Sequence, residues 1–170
     1  MKKHIVFLDF DGVLNSTTWY GVVWDSVVMG EGDLPPGIDR DFDPENVRAV
    51  AQLIRALDAD LVVTSSWRHL PEVPDRLVAI GLPRPVGITP RDPERIRGKE
   101  IAAWLALHPE VEDYLILDDD VEDIQPYHPG RVVKTSVCAG FTEELLKELL
   151  GAPILQFRTA LAPSPEDSHA

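Results

Sequence analysis

The sequence has little cysteine, no long apolar stretch and a shortage of positive charge. Its single cysteine, Cys138, excludes an internal disulfide framework and is typical of a reducing compartment. No apolar run approaches the roughly 18 residues that a membrane-spanning helix needs. Asp9 and Asp11 also interrupt the apolar run that follows the first lysines, which argues against a signal peptide. We therefore expect a cytoplasmic protein without a membrane partner.

The net charge is −13 at pH 7, from 29 acidic and 16 basic residues. This balance argues against an extended surface for binding nucleic acid. The basic residues are unevenly distributed, however, and one stretch contains Arg84, Arg91, Arg95, Arg97 and Lys99. The sequence leaves two interpretations of this stretch open, a local anion site and a solvated loop.

Short apolar segments alternate with helical ones along the 170 residues, a length that fits one domain. Strands are predicted over residues 4–8, 61–64, 85–89, 114–118 and 131–135. Helices are predicted over 44–57, over about 74–80, from 98–99 to the break at 108–109, and after a cap at Thr142. The alternation predicts an α/β fold with three Rossmann-like layers, in which helices cover both faces of a central parallel sheet of about five strands.

The domain is expected to occupy residues 1–158. Within it, residues 16–42 lack clean periodicity and are expected to form a flap-like insertion. Residues 159–170 are small, polar and proline-containing, and we expect a disordered tail there.

Polar side chains follow three of the predicted strands. They are Asp9 and Asp11 after the first strand, Thr64 and Ser65 after the second, and Asp118 and Asp119 after the fourth. Because ligands of open parallel sheets bind beyond the carboxyl ends of the strands, these side chains should gather at one edge. Several carboxylates there need a cation, and Mg²⁺ prefers carboxylate and phosphate oxygens as ligands. The pattern therefore predicts a Mg²⁺-assisted site for phosphoryl transfer, in which a carboxylate can carry a covalent phosphate.

Asp9 and Asp11 have a simpler interpretation as an Asx-type turn that closes a strand. A calcium-binding loop of the EF-hand type is excluded, because Gly12 is fourth from Asp9 and that loop needs glycine at the sixth position. The choice between a turn and a catalytic edge depends on whether the other strand ends contribute matching groups.

Four ordered motifs resemble those of the haloacid dehalogenase-like (HAD) superfamily. FLDFDGVLN (7–15) is similar to its first motif, LVVTS (61–65) to its second, GK (98–99) to its third and LILDDD (115–120) to its fourth. The resemblance covers about residues 4–150. TSSWR (64–68), GKEIAAWL (98–105) and GFT (140–142) are further similar to HAD domains associated with RNA repair proteins.

The resemblance implies the chemistry of the acidic residues. Asp9 would be the nucleophile that becomes phosphorylated, and Asp11 would protonate the leaving group and then activate water. Asp9, the main-chain carbonyl of Asp11 and Asp118 would bind Mg²⁺, with Asp119 as an alternative ligand. Dehalogenases of this superfamily lack the second acid, so Asp11 favours phosphatase or phosphotransferase chemistry.

The resemblance also implies the groups that bind phosphate. Thr64 would hydrogen-bond the phosphoryl oxygens, with Ser65 beside it. Lys99 would offset the charge of the nucleophile and of the phosphate. For a phosphorylated substrate, Arg68 and the basic stretch 84–99 are expected to supply further anion contacts.

Neither interval between the motifs holds the full cap domain that covers many HAD sites. Residues 10–63 include the first predicted helix, 44–57, and residues 65–98 are largely used by a helix and the third strand. The resemblance thus implies a capless Mg²⁺-dependent phosphomonoesterase that acts through an aspartyl-phosphate. Its expected partner is a nucleotide, a polynucleotide end or another bulky phosphorylated substrate. A capless protein phosphatase and a non-catalytic HAD-fold binding module remain alternatives, and the oligomeric state is left open.

Overall fold

Five strands form one parallel sheet in the computed structural model, which describes residue 2, residues 4–27 and residues 38–151. They are β1 (His4–Leu8), β2 (Asp60–Val63), β3 (Gly87–Ile88), β4 (Asp113–Asp118) and β5 (Val132–Lys134), in the spatial order β3-β2-β1-β4-β5. All four neighbouring pairs are parallel. The predicted α/β fold with a five-stranded parallel sheet is confirmed.

Helices connect β1 to β2, β2 to β3 and β3 to β4, and a last helix follows β5. They are α1 (Thr17–Val27), α2 (Pro44–Leu57), α3 (Val73–Ala79), α4 (Arg97–Ala106) and α5 (Glu143–Gly151), with a short 3₁₀ helix over Ser66–His69. The cap predicted for α2 is present, because the Asp43 side chain accepts from the Glu45 N–H at 2.9 Å. Thr142 Oγ1 likewise accepts from the Leu145 N–H, at 3.3 Å, in the first turn of α5. Four of the five described helices were predicted, and in two of them, α2 and α5, the structure shows the predicted cap.

Helix α1 lies where the sequence predicts no regular element. The apolar residues of this helix are distributed around its axis and do not define one apolar face: Trp19 is buried, whereas Val22 and Trp24 are exposed. The N–H of Trp19 donates to Ser16 Oγ at 3.0 Å, which caps the first turn. Residues 28–37 of the expected flap-like insertion and the expected tail, 159–170, lie outside the described residues, and the limits of the domain stay a prediction.

Both faces of the sheet are buried. Along β1, Val6 and Leu8 pack into the larger apolar cluster, which contains residues of α2 and α5, whereas Ile5 and Phe7 pack into a second cluster with Trp104 of α4. This is the arrangement of helices on two faces that near-continuous apolar strands predict. Within the described ranges, no helix is both long and apolar enough to cross a lipid bilayer.

The register of the central strands determines where the polar residues that follow them lie. Leu8 of β1 lies opposite Val63 of β2 and Leu117 of β4. Beyond the strands, the N–H of Thr64 donates to the Leu8 carbonyl at 2.9 Å and that of Asp9 to the Leu117 carbonyl at 3.1 Å. Asp9 therefore sits at the carboxyl edge between Thr64 and Asp118.

Candidate active site at the carboxyl edge of the sheet

Three carboxylates converge at this edge. Asp9 and Asp118 are buried, Asp119 is half-buried, and one oxygen from each lies within 4.8 Å of the others. A set of carboxylate oxygens is the donor chemistry that Mg²⁺ prefers. The residues present therefore fit a hard divalent cation, which Asp9, Asp118 and Asp119 would hold.

Arg97, at the first position of α4, joins two of these carboxylates. Its Nη1 lies 2.8 Å from Asp9 Oδ1 and 2.6 Å from Asp118 Oδ2. The start of the helix is held by Asp123, whose Oδ2 accepts from the Arg97 N–H at 2.8 Å. From the sequence, Arg97 is a candidate anion contact in the basic stretch, but no contact with Asp9 or Asp118 is predicted for it.

Lys99, the cation expected beside Asp9, has a different partner in the structure. Its Nζ pairs with the carboxylate of Glu94, and its side chain is 38% exposed. Residues two positions apart on a helix do not share a face, which separates Lys99 from Arg97. Among the described residues, the cation that contacts Asp9 is Arg97, so the roles expected for Lys99 stay predictions that this geometry does not favour.

The carboxylates do not ionise together easily. Burial raises the pKa of Asp118 to about 7, with repulsion from Asp9 adding to this effect and Arg97 opposing it. Burial also raises the pKa of Asp9 above its ordinary value of 3.8, again opposed by Arg97. For Arg97 itself, burial lowers the pKa, but attraction to Asp9 and Asp118 outweighs burial and raises it. The guanidinium of Arg97 thus compensates the negative charge of Asp9 and Asp118 only partly, and a second cation beside them would stabilise their ionised forms.

Asp11, two residues after Asp9, is exposed and is oriented by Asn15. Asn15 Nδ2 donates to Asp11 Oδ1 at 2.9 Å and to the Tyr20 hydroxyl at 2.8 Å, while its Oδ1 accepts from the Gly12 N–H at 3.0 Å. Asp11 is therefore a held carboxyl group with access to solvent, as a proton-transfer group requires. Asn15 and Tyr20 were not predicted, because nothing in their spacing distinguishes them from turn residues.

Thr64 is fully buried, and its Oγ1 has no hydrogen-bond partner among the described residues. A buried hydroxyl without a partner costs free energy, so Thr64 is suited to donate to a ligand oxygen. Ser65 is also buried, but its Oγ accepts from the Trp67 N–H at 3.3 Å and closes a turn.

The model of one protein family, the HAD domain in Swiss Army Knife RNA repair proteins, matches residues 5–146. The chain belongs to this HAD family. No curated protein and no solved structure gave a significant match. Membership supports a HAD-type hydrolase, and enzymes of the HAD family generally use Mg²⁺, in agreement with the acidic cluster.

In this HAD domain, Gly12 is the residue that lets the first motif pass under Asp119. Its φ is +69°, and a Cβ there would lie 2.5 Å from Asp119 Cγ. Thr135 Oγ1 donates to the Gly12 carbonyl at 2.6 Å, which fixes the turn from the other side. A side chain at this position would displace the third carboxylate of the cluster.

Arg68, predicted to bind substrate, is buried in the HAD domain, and its guanidinium forms hydrogen bonds and an ion pair with other residues of the protein. Its Nη1 donates to the carbonyls of Thr64 at 2.7 Å and Ser65 at 3.1 Å, and its Nε donates to Thr89 at 3.1 Å. Its Nη2 forms an ion pair with Glu100 at 2.9 Å. These contacts hold the strand end that carries Thr64, so the structure makes Arg68 a positioning residue and leaves its contact with substrate a prediction.

Proposed function

We propose that this HAD domain is a Mg²⁺-dependent phosphomonoesterase that forms an aspartyl-phosphate on Asp9. The observation that carries the proposal is the Arg97 guanidinium, which joins Asp9 to Asp118 at the edge where the Thr64 hydroxyl lies buried without a described partner. A carboxylate nucleophile, a fixed cation and a fixed hydrogen-bond donor are the groups that phosphoryl transfer uses.

The carboxylate cluster is the proposed metal site. Asp9, Asp118 and Asp119 would hold the ion, and their clustered oxygens support this assignment. When bound, Mg²⁺ neutralises charge on the phosphoryl oxygens and orients the phosphate.

Asp9 and Asp11 divide the chemical steps. The Asp9 carboxylate attacks phosphorus, so that a bond from its oxygen to phosphorus forms while the ester bond breaks, and Asp11 donates its proton to the leaving oxygen. Asp11 then takes a proton from water, the water oxygen bonds to phosphorus, and the bond to Asp9 breaks to release inorganic phosphate. The Thr64 hydroxyl and the Arg97 guanidinium stabilise the charge that develops on the phosphoryl oxygens.

The proposed substrates are nucleotides, polynucleotide ends or other bulky phosphate esters. Two observations support this class. The family description concerns RNA repair proteins, and Asp11, two residues after Asp9, is exposed, so a large leaving group can reach it.

Phosphate release from an aryl phosphate tests the proposal. We expect activity in Mg²⁺, its loss in a chelator, and a fall of roughly a thousandfold or more in Asp9→Asn, since losing a nucleophile is among the largest single effects. Asp60→Asn is the matched control, because Asp60 begins β2 at the opposite edge of the sheet, and it should keep full activity. Wild-type turnover by Asp9→Asn would refute the mechanism.

A substrate panel separates the proposed class from a protein phosphatase. Equal concentrations of a nucleoside monophosphate, a phosphorylated oligonucleotide and a phosphopeptide are compared by kcat/KM. We expect the nucleotide substrates to exceed the phosphopeptide, and the reverse order would assign the site to phosphoprotein.

A further inference from the structure

A cavity rich in arginine opens beside the carboxylates. It has a volume of about 190 Å³ and is lined by Ser66, Arg68, Arg91, Arg95, Arg97 and Glu100. In this arginine cavity four guanidinium groups face one carboxylate, although the whole protein carries a net charge of −13. The arginine cavity is therefore a local reversal of the protein's charge.

The one carboxylate of the arginine cavity is already engaged. Glu100 is buried; its Oε2 accepts from Arg68 Nη2 at 2.9 Å, and its Oε1 accepts from the N–H of Asp92 at 3.0 Å. Glu100 thus offsets the charge of Arg68 and has no free oxygen for the other arginines.

Arg91 and Arg95 have no anionic partner among the described residues. Neither side chain forms a hydrogen bond or an ion pair with any described residue, and both are exposed. The acids nearest in sequence are used otherwise: Asp92 Oδ2 accepts from the N–H groups of Glu94 at 2.9 Å and Ile96 at 3.3 Å, and the Glu94 carboxylate pairs with Lys99. The two arginines that line the cavity are thus available to bind an anion.

The backbone at Arg95 adopts an uncommon conformation. Arg95 has a φ of 59°, in the left-handed region that few residues other than glycine adopt, and its N–H donates to the Asp92 carbonyl at 3.0 Å. Like charges also act on Arg68: burial is the main reason that its pKa is lowered, and repulsion from Arg97 and Arg91 adds to it against the attraction of Glu100. A bound anion would relieve this repulsion.

The arginine cavity and the carboxylate cluster share a wall. Arg97 lines the cavity and also bonds Asp9 at 2.8 Å. Arg68 lines it and also bonds the Thr64 carbonyl. A group in the arginine cavity is therefore separated from a phosphate at Asp9 by a single guanidinium.

We propose that the arginine cavity binds a second phosphate of the substrate whose reacting phosphate lies at Asp9. The inference rests on the proposed function for that first phosphate. Arginine forks suit phosphate oxygens, and a charge-assisted contact is stronger than a neutral one. Two substrate types supply this chemistry, a nucleoside bisphosphate and the phosphorylated end of a nucleic-acid strand.

Equilibrium binding to the full chain with Asp9→Asn tests the inference without turnover. The probes are AMP, adenosine 3′,5′-bisphosphate and a phosphorylated adenosine dinucleotide, titrated in Mg²⁺ by calorimetry. The dissociation constants are measured in this background and after adding Arg91→Gln, Arg95→Gln or Arg84→Gln. Arg84 is the matched control, because it belongs to the same basic stretch but pairs with Asp75 and does not line the arginine cavity.

We expect the bisphosphate and the dinucleotide to bind at least roughly tenfold more tightly than AMP, as one charge-assisted contact allows. Arg91→Gln and Arg95→Gln should reduce that ratio, whereas Arg84→Gln should leave it unchanged. Tighter binding of the dinucleotide than of the bisphosphate would identify a strand end as the source, and the reverse order a small nucleotide.

Equal affinity for AMP and the bisphosphate, or an equal loss of the ratio in Arg84→Gln, would overturn the inference. Failure of the proposed function is seen separately, because it appears as absent aryl phosphatase activity in the wild-type protein while the binding ratios remain measurable.

Discussion

The carboxyl edge of the sheet has two halves of opposite charge. Beyond β1 and β4 lies an acidic half, with Asp9, Asp118 and Asp119 clustered around shared space. Beyond β2 and before α4 lies the arginine cavity. Arg97 stands between the halves, since it bonds the acidic pair and lines the arginine cavity.

The comparison shows that the charges of neither half are fully compensated by the protein. The acidic half contains three carboxylates and one cation, Arg97, so a further cation would stabilise it. In the arginine cavity Arg68 is paired with Glu100 and Arg97 with the carboxylate cluster, which leaves Arg91 and Arg95 available to bind an anion. A phosphorylated ligand with a divalent cation meets both requirements at once, which neither half alone indicates. The variants below break the two halves separately.

The largest effect is expected from Arg68, the structural arginine of the cavity. Arg68→Gln leaves buried Glu100 without its cation and three carbonyls without their donor, so the free energy of unfolding should fall by about 3–5 kcal/mol. Denaturant unfolding at constant pH measures this. Arg84→Gln removes an exposed pair and should cost no more than about 1 kcal/mol. If both variants lost the same stability, Arg68 would not hold the strand end as described.

Arg97 should matter for turnover through its contacts with Asp9 and Asp118. Arg97→Gln is expected to lower kcat for an aryl phosphate by roughly a hundredfold, the usual cost of removing one stabilising donor at a transferring group. Lys99→Gln should change kcat by less than about threefold, because Lys99 lies on a different side of α4. The opposite ranking would return the catalytic cation to Lys99, as the motif alone implies.

Metal removal should separate the acidic half from the rest of the protein. Adding Mg²⁺ to metal-free protein should stabilise it by about 2.7 kcal/mol at a hundredfold excess over the dissociation constant. Asp118→Asn and Asp119→Asn should each reduce this gain, and the larger loss identifies the direct ligand. Asp113→Asn, at the other end of β4, should keep it. An unchanged Mg²⁺ shift in both site variants would exclude this cluster as the metal site.

The smallest effect concerns His128, which supports the start of α4 behind Arg97. Its ring is buried, with Nε2 2.8 Å from the Gly98 carbonyl and Nδ1 2.9 Å from the Tyr114 hydroxyl. The neutral ring satisfies both contacts, donating from Nε2 and accepting at Nδ1.

Burial lowers the pKa of His128 below its ordinary value of 6.5, although the bond to Gly98 opposes this. As pH falls, the unfolded chain therefore takes up a proton on this histidine at a higher pH than the folded protein does. The contribution of neutral His128 to the free energy of unfolding is complete above pH 6.5 and is lost as pH falls through the lower pKa of the folded state. Unfolding free energies on both sides of pH 6.5 should show a steeper acid loss in the wild type than in His128→Gln. Equal slopes would contradict the assignment.

Much of the edge could be predicted, because short-range patterns encode it. Each apolar strand runs directly into its polar residue, so parallel pairing brings Asp9, Thr64 and Asp118 together whatever the details of the helices. The caps at Asp43 and Thr142 are equally local. Helix α1 was not predicted, because its apolar residues do not lie on one face of the helix.

The partners of the arginines could not be predicted, because they depend on rotation and distance. Arg97 and Lys99 lie about 200° apart around a helix, so a small shift in where α4 starts decides which cation faces Asp9. That start is set by Asp123, 26 positions away. Arg68 and Glu100 are 32 positions apart, and no local spacing relates them.

The most direct test of the central claim is the intact mass of the Asp11→Asn protein after acid quenching during turnover of an aryl phosphate in Mg²⁺. An aryl leaving group needs little protonation, whereas hydrolysis of the intermediate needs Asp11 as a base. The account predicts protein carrying one phosphoryl group, located on the peptide that contains Asp9 and absent from the Asp9→Asn, Asp11→Asn double variant. Product formation at the wild-type rate with no phosphorylated protein would contradict it.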